Sequence, residues 1–259
     1  MYLQLLLLTI LNSCGCAKSS NHLVSEPHTR SKRLAVHPSR WSTNLWPDAV
    51  VPYDIASHYS PWERSIILSA MAEFHKISCI RFRPRKPSDR YYLQINKYYN
   101  LERCFSYIGR QVVSIFRTRE GNVETRMKLD PSCLRYNGRG TVMHELMHIL
   151  GFYHEHQRDD RDSRIGGRSG HYNYKIYPRA TTYYMGHYDV TSIMHYNFNG
   201  VTVLSRSYFS REDIRRINVL YECQSRGPQE STTSFENDYA RYLPANDETL
   251  STNELRKRM

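Results

Sequence analysis

The sequence predicts an α+β fold, with an N-terminal sheet packed on two helices, and three observations carry that prediction. A capped amphipathic helix begins at Ser60. Alternating side chains mark short strands at 91–95 and 111–116. Residues 144–154 place histidines at helical spacing and then stop the helix on a glycine.

Ser60-Pro61-Trp62-Glu63 supplies a capping residue, a proline at the first helical position and a glutamate three residues after the cap. The first free N–H groups of a helix are thereby satisfied locally. Ile67, Ala70, Met71 and Phe74 then recur at helical period and predict one core-facing stripe. In the strand at 111–116, Val112, Ser114 and Phe116 alternate against Val113 and Ile115. With 259 residues and 40% hydrophobic content the chain can build one sizeable core.

The second helix carries the chemistry. It reads His-Glu-Leu-Met-His-Ile-Leu-Gly-Phe-Tyr-His from His144 to His154. His144 and His148 are four apart, so their imidazoles leave one helical face and can share a metal ion. Glu145 stands beside that ion rather than on it, where a carboxylate can take a proton from zinc-bound water and pass it to a leaving amine. Gly151 lets the helix end in a left-handed conformation, which returns His154 to the same ion. Three protein ligands leave a coordination position open, as catalytic zinc requires. Chance occurrences of His-Glu-x-x-His on amphipathic helices are common, but the eleven-residue form with its glycine is far more specific.

The start of the chain reads as export and processing signals. Leu3 to Leu11 is an apolar run followed by the small residues Gly15 and Ala17, so residues 1–17 are expected to be a signal peptide, although no Lys or Arg precedes the run. No other stretch is long and apolar enough to span a membrane. Residues 18–33 form a short prosegment, and Arg30-Ser31-Lys32-Arg33 reads as a site for a processing protease cutting after Arg33. Export leaves Cys79, Cys104, Cys133 and Cys223 in an oxidising compartment, where two disulfides are expected out of three pairings. None of the four has the close-pair spacing of a zinc knuckle.

Beyond His154 the chain continues Glu155-His156-Gln157-Arg158-Asp159-Asp160-Arg161-Asp162, and Ser192-Ile193-Met194-His195-Tyr196 follows downstream. Together with the long histidine motif these segments resemble the astacin family of metzincin zinc endopeptidases. Leu45-Trp46-Pro47 with Val50-Val51-Pro52-Tyr53 resembles its first strand. Ser78-Cys79-Ile80-Arg81-Phe82 resembles its helix-to-strand junction, and Asp213-Ile214 to Tyr221-Glu222-Cys223 its closing helix.

The resemblance implies a zincin-like domain over 34–223, with a twisted N-terminal sheet, the active-site helix, and a mostly irregular C-terminal subdomain ended by a helix. It implies Met194 as an apolar floor beneath the metal and Tyr196 as a movable zinc ligand that can donate to an oxyanion. It also implies disulfides Cys79–Cys223 and Cys104–Cys133, and an edge strand at 111–116 that holds extended substrate. After cleavage the new amino terminus at Leu34-Ala35 is expected to pair with Glu155. The sequence departs from the family in four places. Residues 18–33 lack the aspartate that commonly blocks the metal, leaving Glu26 and His28 as substitutes. Glycines usual between Arg110 and Gln111 are missing. Segment 163–189 matches only loosely and 197–210 is shorter than the usual connection to the closing helix, so substrate preference transfers least.

The formal charge of +11 raises nucleic acid as a partner. No recognition helix, zinc-finger spacing or aromatic RNA motif accompanies it, so acidic peptides or anionic matrix fit the charge better. Arg206, Arg211 and Arg215 read as solvated charges, with a preference for acidic substrate residues as the functional alternative. Residues 224–259 are rich in Ser, Thr, Asn and acids and are expected to be a disordered tail. The overall expectation is a secreted zinc endopeptidase with one Zn²⁺ per chain. The alternative is a catalytically silent, zinc-bearing scaffold that captures peptides.

Overall fold

A computed structural model describes residues 35, 44–98, 104–112, 117–161, 174–178, 182–183, 185–196, 207–226 and 233–242. The signal peptide, the prosegment, Arg33 and Leu34 lie outside the described residues, as do 113–116, 197–206 and 243–259.

Five strands form one sheet in the order β2-β1-β3-β5-β4, with β1 Val50–Ile55, β2 Arg81–Pro84, β3 Tyr91–Asn96, β4 Cys104–Ser106 and β5 Val123–Leu129. The first four in that order run parallel, and β4 is an antiparallel outer strand on β5, with Cys104 opposite Leu129. Helices α1 (Pro61–Ile77) and α2 (Gly138–Ile149) pack against each other and the sheet. Helix α3 (Arg211–Leu220) follows in the C-terminal half. Among the described residues no helix is long and apolar enough to cross a membrane.

Helix α1 begins as its sequence predicts. Ser60 Oγ accepts from the Glu63 N–H, and Glu63 Oε2 accepts from the Ser60 N–H at 2.7 Å. Ile67, Ala70, Met71 and Phe74 are all fully buried. Both disulfides form as the resemblance implied, Cys79–Cys223 and Cys104–Cys133.

Two expectations need correction. Among the described residues the outer strand is Cys104–Ser106 and 111–112 are not in a strand, while 113–116 of the expected edge strand lie outside the described residues. After Tyr107, whose N–H still reaches Arg126 O, the chain is drawn off the ladder, because Gly109 N–H bonds to His148 O and Arg110 N–H to Asn44 O at 2.7 Å. Gln111 N–H then meets the Thr125 side chain in place of a strand carbonyl. The second correction concerns the tail, where Thr233–Ala240 forms helix α4 rather than disordered chain. Three anchors hold it. Phe235 is fully buried and meets the His75 ring at 4.4 Å and Tyr53 edge-on at 6.4 Å. Asp238 accepts the Tyr53 hydroxyl at 2.6 Å.

His75 at the end of α1 is a source of acid sensitivity. Its Nε2 accepts from the Phe82 N–H at 2.9 Å, so the ring is neutral. Burial, and then the charge of Arg81, pushes its pKa from 6.5 down to about 3. Between those values the unfolded state binds the proton and the folded state does not. Stability is therefore full above about pH 6.5 and falls as pH drops toward about 3, by up to roughly 5 kcal/mol from this residue. His75→Gln, which keeps an acceptor, is expected to flatten that slope in urea unfolding at stepped pH. An unchanged slope would remove His75 as its source.

Candidate metal centre

The metal centre is built on the end of α2. Gly151 has φ +103°, and the helix closes with Gly151 N–H on His148 O and Phe152 N–H on Met147 O. This is the paired 5→2 and 6→1 bonding of a Schellman cap, and it turns the chain so that His154 faces back to the helix. The remaining end carbonyls are also claimed. Trp46 Nε1 donates to Ile149 O at 2.9 Å and the Tyr221 hydroxyl to Leu150 O at 3.0 Å. A helix terminus nailed on three sides cannot drift, and neither can the histidines on it.

His144, His148 and His154 offer one ligand atom each within 4.8 Å of one another. His154 Nε2 lies 3.2 Å from His144 Nε2 and 3.0 Å from His148 Nε2. The other ring nitrogens decide the tautomers. His144 Nδ1 donates to Ile193 O and His148 Nδ1 to Phe152 O, both at 2.7 Å, because a carbonyl can only accept. Their Nε2 atoms are therefore bare lone pairs aimed at a shared point. Such lone pairs repel unless a cation lies among them, and tetrahedral bonds of roughly 2.0 to 2.1 Å would hold nitrogens roughly 3.3 Å apart. The donor set fits zinc. Burial first, and His144 second, push His148 down to about 3, and burial also depresses His154, so both rings stay in the ligating form.

Glu145 is buried on the same helix, and its Oε2 accepts from the Ser106 hydroxyl at 2.5 Å. Ser106 belongs to the outer strand β4, so the candidate base touches the edge of the sheet. Met194 is buried, and the Tyr196 ring lies 4.2 Å from His154 and stacks on His156 at 4.6 Å. Asp213 fixes the turn that carries them. Fully buried at the start of α3, it accepts from Ser192 Oγ at 2.6 Å and the Ile193 N–H at 2.9 Å while also capping its own helix. Burial raises its pKa against those hydrogen bonds.

The amino terminus expected at Leu34 lies outside the described residues, and among those described Glu155 meets a side chain. Arg216 forks onto its carboxylate at 2.9 and 3.0 Å, and the Asp189 N–H adds a bond at 2.8 Å. Ala35 is buried and bridged through its backbone to Phe152. Ser106, Arg216, Asp213, Trp46 and Tyr221 are functional neighbours that the sequence did not single out for these roles. Arg215 pairs with Glu212 at 2.9 Å, which supports its reading as a helix-surface charge.

Residues 39–222 match the family model described as Astacin, a peptidase family. The chain belongs to the astacin family. Its sequence is 68% identical over 199 residues to zinc metalloproteinase nas-3 of Caenorhabditis elegans, covering 76% of this chain and 68% of that protein. Zinc metalloproteinase nas-2 of the same organism is 62% identical over 203 residues, covering 78% and 69%. Among solved structures, high choriolytic enzyme 1, a hatching enzyme zinc-protease from Oryzias latipes, is 28% identical. It superposes with a TM-score of 0.56 over 71% of this chain and 96% of its own. Myroilysin, at 23% identity and a TM-score of 0.51, covers 69% of this chain and 96% of its own and shares the fold. This astacin is accordingly a zinc-dependent metallopeptidase, with the α+β architecture its sequence predicts.

Proposed function

We propose that the chain is a secreted endopeptidase that cuts extended protein segments laid along β4, with Glu145 as general base and acid. One observation carries this reading. Three imidazoles converge through their Nε2 atoms while a buried carboxylate sits one residue from the first of them, on the outer-strand side. Zinc held there, one ion per chain, would supply Lewis acidity that polarises the scissile carbonyl and lowers the pKa of water to about 7.

The protein's own groups do the rest. His144, His148 and His154 hold the ion, and Met194 closes the site from below. Glu145 takes the proton of the attacking water and returns it to the leaving amine. Tyr196, beside His154, donates its hydroxyl to the developing oxyanion. Ser106 holds Glu145 in register with the strand. Ser106→Ala is expected to lower kcat on the order of tenfold, the value of one hydrogen bond to a charged group, with KM nearly unchanged. Steady-state kinetics on one peptide tests this, and an unaltered kcat would leave Ser106 without a role.

Residues 1–17 direct export, and a processing protease removes 18–33 after Arg33. Protein or peptide substrates, acidic or matrix-derived ones among them, fit the positive charge. Incubating the trimmed, zinc-loaded chain with a peptide library and reading products by mass spectrometry tests the proposal. Internal cleavage supports it, and peptide capture without cleavage would favour the silent scaffold.

A further inference from the structure

Asp213 and the Glu155 N–H hold the turn around Met194 at Ser192, Ile193 and the Met194 carbonyl. The next residue carries that hold on to Tyr196. His195 is fully buried, and its Nδ1 donates to Tyr196 O at 2.6 Å, because a carbonyl can only accept. With the proton on Nδ1, Nε2 of the neutral ring is an acceptor, and the Tyr188 hydroxyl donates to it. Hydroxyl, imidazole and carbonyl thus form one chain of hydrogen bonds that ends on the backbone of Tyr196. The Tyr188 end stands on fixed backbone. On one side His187 O accepts from Arg216 at 2.5 Å, and on the other the Asp189 N–H donates to Glu155 at 2.8 Å.

The ring of Tyr196 is placed separately. It lies over imidazoles, 4.2 Å from His154, 4.6 Å from His156 and 6.1 Å from His144. Such contacts set the plane of a phenol but let it slide within that plane, and a misplacement of about 1 Å at a reacting centre can cost 10²-fold in rate. The backbone hold decides how far the hydroxyl reaches. We propose that Tyr188, acting through His195, is a positioning residue for Tyr196: its hydroxyl keeps the imidazole in the orientation and Nδ1-protonated form that pins the Tyr196 carbonyl. The inference rests on the reading of Tyr196 as the oxyanion donor. Removing the Tyr188 hydroxyl weakens the hold on Nε2 in a buried site, where a lost donor costs most, and a ring that turns away releases the Tyr196 carbonyl.

Tyr188→Phe keeps the ring and removes the oxygen. In the processed, zinc-loaded protein it is expected to lower kcat about tenfold with KM little changed and zinc content unaltered. An unaltered kcat overturns the proposal, and so does a loss of zinc, which would make Tyr188 a structural residue. In a Tyr196→Phe background the same substitution is expected to change kcat less than about twofold, because the hydroxyl it positions is gone, and a full loss there contradicts the proposal. Should Tyr188→Phe fail to fold, His195 carries the test. His195→Asn puts an amide N–H near the place of Nδ1 and should recover most of the kcat that His195→Leu, which has no donor, loses. Equal kcat in those two variants contradicts the pin. Crystals read the same point without turnover: in Tyr188→Phe the Tyr196 carbonyl is expected to lie beyond hydrogen-bond reach of His195 Nδ1, past about 3.5 Å, and an unmoved pair would contradict the proposal. Tyr196→Phe alone separates the two readings. Full kcat in that variant removes Tyr196 as the oxyanion donor, whereas a loss there with none in Tyr188→Phe removes Tyr188 alone.

Discussion

Glu145→Gln is expected to retain zinc and lose turnover by about 10²- to 10⁴-fold, equivalent to roughly 3 to 5 kcal/mol of barrier. The substitution keeps the shape of the side chain and an oxygen that can still accept from Ser106, so α2 and its histidines should not move. What it removes is the ability to take a proton from water and deliver it to an amine nitrogen. Metal content by atomic emission and kcat/KM on one peptide measure the two halves separately. A variant that cleaves at a near-normal rate would remove Glu145 from the mechanism. A variant that loses zinc would recast the residue as structural.

Opening the Cys79–Cys223 disulfide is expected to cost roughly 5 kcal/mol, because loop-closure entropy grows with the length closed and this bridge spans 144 residues. Natural domains are stable by about 5 to 15 kcal/mol, so Cys79→Ala with Cys223→Ala should be barely folded or unfolded. The loop contains β2 to α3, and with them the zinc helix and the turn around Met194. Cys104–Cys133 closes only 29 residues, and its loss should cost less, roughly 4 kcal/mol. Urea midpoints of the oxidised protein and both double variants measure the difference. Equal shifts, or a shift under about 1 kcal/mol for the longer loop, would contradict the entropic account.

Features written in local spacing were legible in the sequence. The cap at Ser60, the stripe through Phe74 and the glycine stop at Gly151 each depend on residues within one or two turns, and all three are realised. The histidines were legible for the same reason. Strand β5 escaped notice because Glu124, Arg126 and Lys128 interrupt its buried Val123, Thr125 and Met127, and charged residues are poor strand signals. Helix α4 escaped because a single buried aromatic, Phe235, holds a polar segment against β1 and α1 through contacts more than 150 residues away in sequence. Arg216 was invisible for a related reason. Its partner Glu155 is 61 positions distant, and no local pattern separates it from the surface arginine beside it. The family resemblance supplied the disulfide pairing, which four cysteines alone could not.

The account depends most on one shared ion. Anomalous diffraction at the zinc edge from crystals of the processed protein is expected to show a single strong site bonded to Nε2 of His144, His148 and His154 at roughly 2.0 to 2.1 Å, with Glu145 off the metal. Protein prepared in zinc-containing buffer that shows no metal at those nitrogens, or a metal held by other residues, would contradict it.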